Sequence, residues 1–240
     1  MSTGSVHIPV SETFYSVQGE GKLTGVPSMF IRTSGCNLRC TWCDTPYASW
    51  NPEGKPQSID ELVTAAVATG GGHSVVTGGE PMMFPALSEL TRKLKDAGHH
   101  ITIETAGTIH RTDIACDLMS ISPKLANSTP LEGDPRDPAG AWRLRHEERR
   151  INIAALQGLL DGPWDRQLKF VVKSEADLPE IETLLSQLCG WKKDDILLMP
   201  EGVKAPTQDS KDAVVRACLA RGWRYCTRLH IDLFGNKRGT

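Results

Sequence analysis

A short apolar run, Met29-Phe30-Ile31-Arg32-Thr33, leads through Ser34-Gly35 into three cysteines within eight residues, Cys36, Cys40 and Cys43. Three residues separate the first pair and two the second. A strand that empties into a loop of thiols constrains the chain strongly. It sets a metal or cluster site at a strand end, and the rest of the chain must bring further groups there. Soft thiolates at such spacing suit zinc or iron–sulfur ligation. Structural zinc closes with four protein ligands, whereas three thiolates on a four-iron cube leave one iron open to another molecule. Small buried apolar cysteines, a zinc knuckle completed by a distant Cys or His and a disulfide are the competing uses. The cysteine count is seven, an odd number. No signal-like segment opens the chain, so a soluble cytoplasmic protein in a reducing compartment is expected.

Further strand-like runs lie near residues 75, 101, 119, 169 and 197, separated by helices or long crossovers. Helical stripes are read over Leu62–Val67, Leu87–Ala97, Arg149–Leu160, Leu178–Leu188 and Asp209–Arg221. Ser58 and Glu61 look like a capping box, and Asp177 like an N-cap. The alternation predicts an α/β fold with a parallel sheet and right-handed crossovers. Counting the run near 30, six parallel strands are too few for a closed eight-stranded barrel, so an open partial (β/α)6-type barrel is expected, in one domain over 1–240. Val6–Tyr15, interrupted by Pro9, reads as a short edge strand added at the N-terminus. The alternating Leu229, Ile231, Leu233 and Phe234 read as an ordered strand added at the C-terminus. Met1–His7 reads as a loose end, Pro46–Gln57 as polar loop, and 126–150 as a long loop or insertion.

Formal net charge is −2, from 27 basic and 29 acidic residues. No basic excess points to nucleic acid, and no apolar run approaches the ~20 residues of a membrane span. Cys116, Cys189, Cys218 and Cys226 read as core. His73, His99, His100, His110 and His146 show no ligand spacing and read as surface.

Polar, ligand-like segments fall at the C-terminal ends of the parallel strands, where sheets of this kind bind ligands. They are Cys36–Thr45, Thr77-Gly78-Gly79-Glu80-Pro81, Glu104, Ser122-Pro123-Lys124, and Met199-Pro200-Glu201. Val17-Gln18-Gly19-Glu20-Gly21 is a further tight turn where backbone can approach a ligand. The Gly-Gly-Glu-Pro segment is neither a phosphate loop, since no Gly-Lys-Ser/Thr follows, nor a dinucleotide fingerprint.

The cysteine spacing, followed after one strand-helix-strand unit by Gly78-Gly79-Glu80-Pro81, resembles the radical S-adenosylmethionine (radical SAM) superfamily. Gln18-Gly19-Glu20-Gly21, Arg32-Thr33-Ser34-Gly35-Cys36, Trp42-Cys43-Asp44-Thr45, Ser122-Pro123-Lys124 and the Gly235-Asn236 ending together resemble the 7-carboxy-7-deazaguanine synthase family. The resemblance spans nearly the whole chain; 126–150 is the stretch it does not map.

The resemblance implies a [4Fe-4S] cluster on Cys36, Cys40 and Cys43, with S-adenosylmethionine on the open iron. It implies conversion of 6-carboxy-5,6,7,8-tetrahydropterin to 7-carboxy-7-deazaguanine with loss of ammonia, in queuosine and 7-deazapurine biosynthesis. It further implies a homodimer and a flavodoxin-type electron donor. Arg32 would take the substrate carboxylate. Glu20, Glu104 or the terminal carboxylate of Thr240 would accept from the pyrimidine edge, with Val17, Gln18, Gly19, Thr77 and His230 nearby. Trp42, Cys43 and Asp44 would line the adenine side. Gly78, Gly79, Glu80, Ser122, Pro123, Lys124, Leu198, Met199, Pro200 and Glu201 would hold the rest of the cofactor. Thr45 would carry Mg2+ through its hydroxyl. A glycyl-radical enzyme activase and a non-enzymatic zinc-binding module stand as alternatives.

Overall fold

A computed structural model describes residues 5–240. The reading of Met1–Gly4 as a loose end lies outside the described residues; His7 already begins a strand. In chain order the elements are β1 (His7–Val17), β2 (Pro27–Thr33), β3 (Lys55–Ser58), α1 (Ile59–Ala68), β4 (His73–Gly78), α2 (Leu87–Asp96), β5 (His100–Thr105) and β6 (Leu118–Ile121). They continue with α3 (Ala141–Arg149), α4 (Ile153–Leu160), β7 (Asp165–Val172), α5 (Leu178–Ser186), β8 (Ile196–Pro200), α6 (Gln208–Arg221), β9 (Arg224–Tyr225) and α7 (Leu229–Phe234). Among the described residues all nine strands form one open sheet in the order β3-β1-β2-β4-β5-β6-β7-β8-β9. From β2 to β9 each neighbouring pair is parallel. β1 runs antiparallel to β2 and to β3.

The two faces of the sheet divide the residues by strand parity. Ile31, Val76, Ile103, Ile121, Phe170 and Leu198 belong to a core shared with Leu62, Leu90, Leu94, Leu159, Ile181 and Leu184 of the helices. Phe170 is fully buried there, and truncating such a residue to Ala costs about 3–5 kcal/mol. Residues of the other parity, Arg32, Thr77, Glu104, Ser120, Lys169 and Met199, line a cavity. A period of two therefore turns one set of strands into both a helix-packed core and a polar concave face.

Several elements differ from the sequence expectation. β1 is eleven residues long and interior; four-residue β3, expected as loop, is the edge. Pro9 is tolerated because it pairs only with Pro56, while β2 pairing starts at Val10. Ser58 does sit at the N-cap of α1, but its hydroxyl pairs with Ser5 Oγ at 2.7 Å and does not cap. Asp177 likewise makes no cap bond to α5; its carboxylate accepts from the amides of Lys173 and Ser174. The 126–150 stretch holds a short 3-10 turn, Ala126–Ser128, and α3. The tail is a helix, not a strand. β9 is two residues long and gives it no edge to extend, and the Leu229 amide instead turns back to Gly19 O at 2.9 Å.

Three histidines expected on the surface are buried: His73, His99 and His146. Each finds polar partners, as buried imidazoles must. His73 lies 2.5 Å from Ser28 Oγ and 3.0 Å from Thr102 Oγ1, and His99 lies 2.9 Å from Ser74 Oγ. Cys218 and Cys226 are buried as expected, Cys116 is half-buried, and Cys189 is exposed. No helix among the described residues is long and apolar enough to cross a membrane.

Candidate active site

One cavity of about 470 Å³ opens at the C-terminal ends of the parallel strands. Cys36, Cys40 and Cys43 all line it. Gly35 donates its amide to Ala48 O at 2.9 Å, which ties the loop to the 3-10 turn Pro46–Ala48 that follows. Gly78 and Gly79 end β4 against this loop. Gly78 has φ +137°, and a Cβ on Gly79 would lie 2.0 Å from Gly35 O. Only glycine lets the strand end close on the cysteine loop.

The fit of these residues to a cluster can be judged from the thiols. Burial pushes Cys36 up to about 12 and raises Cys40 as well, with the neighbouring thiols adding to it. Such thiols shed their protons only to a cation held against them. Burial lowers the pKa of Arg39, and the three neighbouring cysteines oppose that fall. Its Nη1 donates to Cys36 O and Leu38 O, both at 2.8 Å, while its Nε is buried without a partner among the described residues. A soft donor set with an unsatisfied N–H beside it fits an anionic cluster.

Around this loop stand other expected residues. Trp42 lines the cavity and donates Nε1–H to Asn127 O at 3.0 Å. Lys124 lies 5.8 Å from the Trp42 ring centre and donates to Ser122 Oγ at 2.8 Å. Asp44, Thr45 and Met199 also line the cavity; Thr45 Oγ1 is 3.8 Å from Cys43 Sγ. Glu80 is fully buried beneath it. Its carboxylate accepts from Met82 N, Ala106 N and Thr105 Oγ1 at 2.8–3.0 Å, stitching the ends of β4 and β5 together. Burial raises its pKa and these hydrogen bonds oppose the rise. Pro123, Leu198, Pro200 and Glu201 are likewise absent from the lining.

The opposite wall is charged. Glu104 accepts from Gln18 Nε2 at 3.2 Å and from Thr77 Oγ1 at 2.8 Å. Glu20 pairs with Lys169 and lies 3.4 Å from Arg228 Nε. Burial opposes ionisation of Glu20, but Lys169, Arg228 and His230 outweigh it and hold the carboxyl at about 2. Arg32 donates Nε–H to Glu12 Oε1 at 2.7 Å, and Tyr47 OH donates to the same oxygen at 2.8 Å. Phe14 and Phe30 stack in parallel, 4.8 Å apart, below Arg32.

The chain's end completes this wall. His230 on α7 lies so close to Gly19 that a Cβ there would be 2.0 Å from Nδ1. Arg238 reaches Glu12 at 3.2 Å and Glu53 at 2.8 Å, and its guanidinium lies 4.0 Å from the Tyr47 ring centre. Val17 and Thr240 line the cavity too.

Glu12, Tyr47, Lys169, Arg228 and Arg238 are lining residues that the sequence reading missed. Two had a signal. Glu12 lies directly across from Arg32 in the β1–β2 register, so an antiparallel pairing would have matched their charges. Lys169 interrupts the apolar run Leu168–Val172, where a lone charge asks for a buried partner.

Comparison with known proteins agrees with this geometry. Residues 30–154 match the Radical SAM superfamily. The chain is 46% identical over 232 residues to the 7-carboxy-7-deazaguanine synthase of Rhodopirellula baltica, covering 96% of this chain and 88% of that one. It is 44% identical to the enzyme of the same name from Halobacterium salinarum, covering 95% and 91%. The crystal structure of QueE from Escherichia coli superposes with a TM-score of 0.68 at 27% identity, over 93% of this chain and 95% of that one. That superfamily implies a four-iron cluster and S-adenosylmethionine, for which the thiol loop described above is suited. The chain belongs to the radical SAM superfamily and, within it, to the 7-carboxy-7-deazaguanine synthase family.

Proposed function

We propose that this chain converts 6-carboxy-5,6,7,8-tetrahydropterin to 7-carboxy-7-deazaguanine and ammonia, in queuosine and related 7-deazapurine biosynthesis. The observation that carries this is the two-walled cavity, with three thiols on one side and paired carboxylates and guanidinium groups on the other. When bound, the cluster and S-adenosylmethionine would supply the radical chemistry for hydrogen abstraction and ring contraction, while the chain's own residues bind and orient the substrate and exclude water.

Cys36, Cys40 and Cys43 would hold the cluster. Trp42, Asp44, Gly79, Ser122, Lys124 and Met199 surround the cofactor. Arg32 offers the rest of its fork to the substrate carboxylate, since Glu12 occupies only Nε. Glu104, oriented by Gln18 and Thr77, accepts from the pyrimidine edge. Glu20 and the terminal carboxylate of Thr240 add further acceptors, with His230 alongside. Thr45 would offer its hydroxyl to Mg2+, which takes oxygen ligands. A homodimer, a flavodoxin-type donor and a cytoplasmic setting accompany this reading.

The alternatives explain less. A peptide-activating activase has no use for a small cavity whose carboxylates are already aimed inward. A non-enzymatic zinc module leaves the charged groups that line the same cavity, Glu20, Arg32, Glu104 and Lys169, without a purpose.

Anaerobic turnover with the pterin, S-adenosylmethionine and a chemical reductant tests the assignment. The expected product is the substrate less one ammonia, at a rate that rises with added Mg2+ in the wild type and not in Thr45→Val. Absence of that product from iron-loaded protein would remove the assignment; equal Mg2+ stimulation of both proteins would remove Thr45 alone.

A further inference from the structure

The 126–150 stretch is folded onto the cysteine loop. The Arg39 amide donates to His146 Nδ1 at 3.1 Å, and the Thr41 amide donates to Ser128 O at 2.7 Å. These two amides lie on either side of Cys40. Their acceptors are joined to each other, since His146 Nε2 lies 2.9 Å from Ser128 Oγ. Ser128 Oγ in turn donates to Leu125 O at 2.6 Å. His146 and Ser128 are both fully buried.

The proton roles follow by elimination. An imidazole nitrogen that accepts from an amide carries no proton, so the neutral ring holds its proton on Nε2. That proton goes to Ser128 Oγ, whose own proton goes to Leu125 O. Each donor and acceptor is used once. The result is a closed bracket: Arg39 N–H to His146, His146 to Ser128, and Ser128 back to Thr41 N–H.

We propose that the Ser128–His146 bracket positions Cys40 for cluster ligation, and that this is what the 126–150 stretch contributes. The direction of a thiolate is set by the peptide planes on both sides of its residue. The bracket holds the Cys40–Thr41 plane through the Thr41 N–H, and through the Arg39 N–H the Leu38–Arg39 plane one residue earlier, and so fixes the backbone around the most buried of the three cluster cysteines. The stack of Arg39 on Trp142 of α3, 3.8 Å from ring centre to guanidinium carbon, seats the same helix on the loop. His146 touches no thiol and is a positioning residue. Partners of this kind are worth about 10–100-fold in metal retention at well-studied sites.

The inference rests on the cluster being held by Cys36, Cys40 and Cys43. Iron content of the reconstituted wild-type holoenzyme tests that first: protein that takes up no iron overturns the cluster reading, and the bracket with it. The bracket is tested by His146→Asn, His146→Gln and His146→Leu. Asn places its Oδ1 where Nδ1 sits and keeps an acceptor for the Arg39 amide. Gln reaches toward Ser128 and leaves that amide without a partner. Release of iron to a chelator is timed under anaerobic conditions, and the electron paramagnetic resonance spectrum of the reduced cluster is recorded. Leu and Gln are expected to release iron about tenfold faster than wild type with a changed spectrum, and Asn to resemble wild type in both. Should His146→Leu fail to fold, the Asn and Gln pair decides. Equal behaviour of Asn and Gln, or wild-type iron release in every variant, would overturn the proposal.

Discussion

The two walls of the cavity are built on opposite principles. The cysteine wall is one contiguous stretch, Cys36–Thr45, held mainly by backbone amides and carbonyls. The facing wall draws on β1, β2, β5, β7 and the chain's last residues, and charge holds it. On that wall the cations already have counter-charges. Arg32 has Glu12, Lys169 has Glu20, and Arg238 has Glu12 and Glu53. A ligand arriving there meets groups that are already paired and oriented, which keeps them fixed before binding. The cysteine wall needs no such balance, because its charges come with the bound group. Substitutions on one wall should therefore leave the function of the other intact.

Lys169→Met should show the largest effect. It leaves the buried Glu20 with Arg228 as its near cation, at 3.4 Å. Removing one partner of a buried pair costs about 3–5 kcal/mol, a fall in melting temperature on the order of 10 °C at this size. Turnover should be lost while iron content and S-adenosylmethionine binding stay at wild-type values. Adding Glu20→Gln should recover much of the stability without recovering turnover. Loss of iron from Lys169→Met would show that the walls are coupled.

Arg32→Lys comes next. The charge stays, but the planar fork that serves Glu12 and the substrate together does not. A rise in KM for the pterin of about tenfold is expected, from the loss of one charge-assisted hydrogen bond, with cofactor binding unchanged. An unaltered KM would take Arg32 out of substrate recognition.

The same contrast explains what could be read beforehand. The cysteine loop, Gly78-Gly79 and six of the seven parallel strands were legible because their signals are local: spacing, paired glycines, apolar runs bounded by turns. The charged wall was not, because Glu12, Lys169, Arg228 and Arg238 meet only after the sheet forms. Lys169 and Glu20 are 149 residues apart, and no local pattern links them. His146 was misread for a related reason. Its neighbours in α3 are charged and exposed, so the helix carries no apolar stripe to mark its buried side. The tail's alternating Leu229, Ile231 and Leu233 suggested a strand, yet Leu233 is exposed and a helix formed. Periodicity reports burial only where there is something to pack against.

A smaller effect separates the walls by pH. Glu20 is held at about 2 against an ordinary 4.5. Its folded form binds fewer protons than the unfolded chain between those values, so its stabilisation is complete above about pH 4.5 and is lost as pH falls toward 2. His73 at the foot of the sheet is lowered to about 4 by burial and by His100 and His99, against Asp117. Its contribution is present above about 6.5 and fades as pH falls through 4. Unfolding midpoints in urea should decline in two stages, first from pH 6.5 with a limiting slope of about 1.4 kcal/mol per pH unit for that histidine. Glu20→Gln should remove part of the second stage and His73→Gln part of the first. A variant that left both stages unchanged would mean its residue does not titrate in this way.

The smallest effect belongs to Arg238, which joins the chain's end to the charged wall. Its side chain is 45% exposed, so its ion pairs with Glu12 and Glu53 are screened by solvent and weak. The contact with the Tyr47 ring adds to them. Together they hold residues 236–240 over the cavity, where Thr240 lies. Arg238→Ala should therefore loosen the tail without disturbing the fold, and the melting temperature should move by no more than a few degrees. Substrate KM should rise by roughly a few-fold, with kcat, iron content and S-adenosylmethionine affinity unchanged. Arg238→Lys keeps the charge but loses the planar stack on Tyr47, and should fall between the two. The comparison of walls predicts a pure KM effect. A fall in kcat with KM unchanged would place the tail's role in the chemistry and not in substrate binding, and the charged wall would then be more than a binding surface.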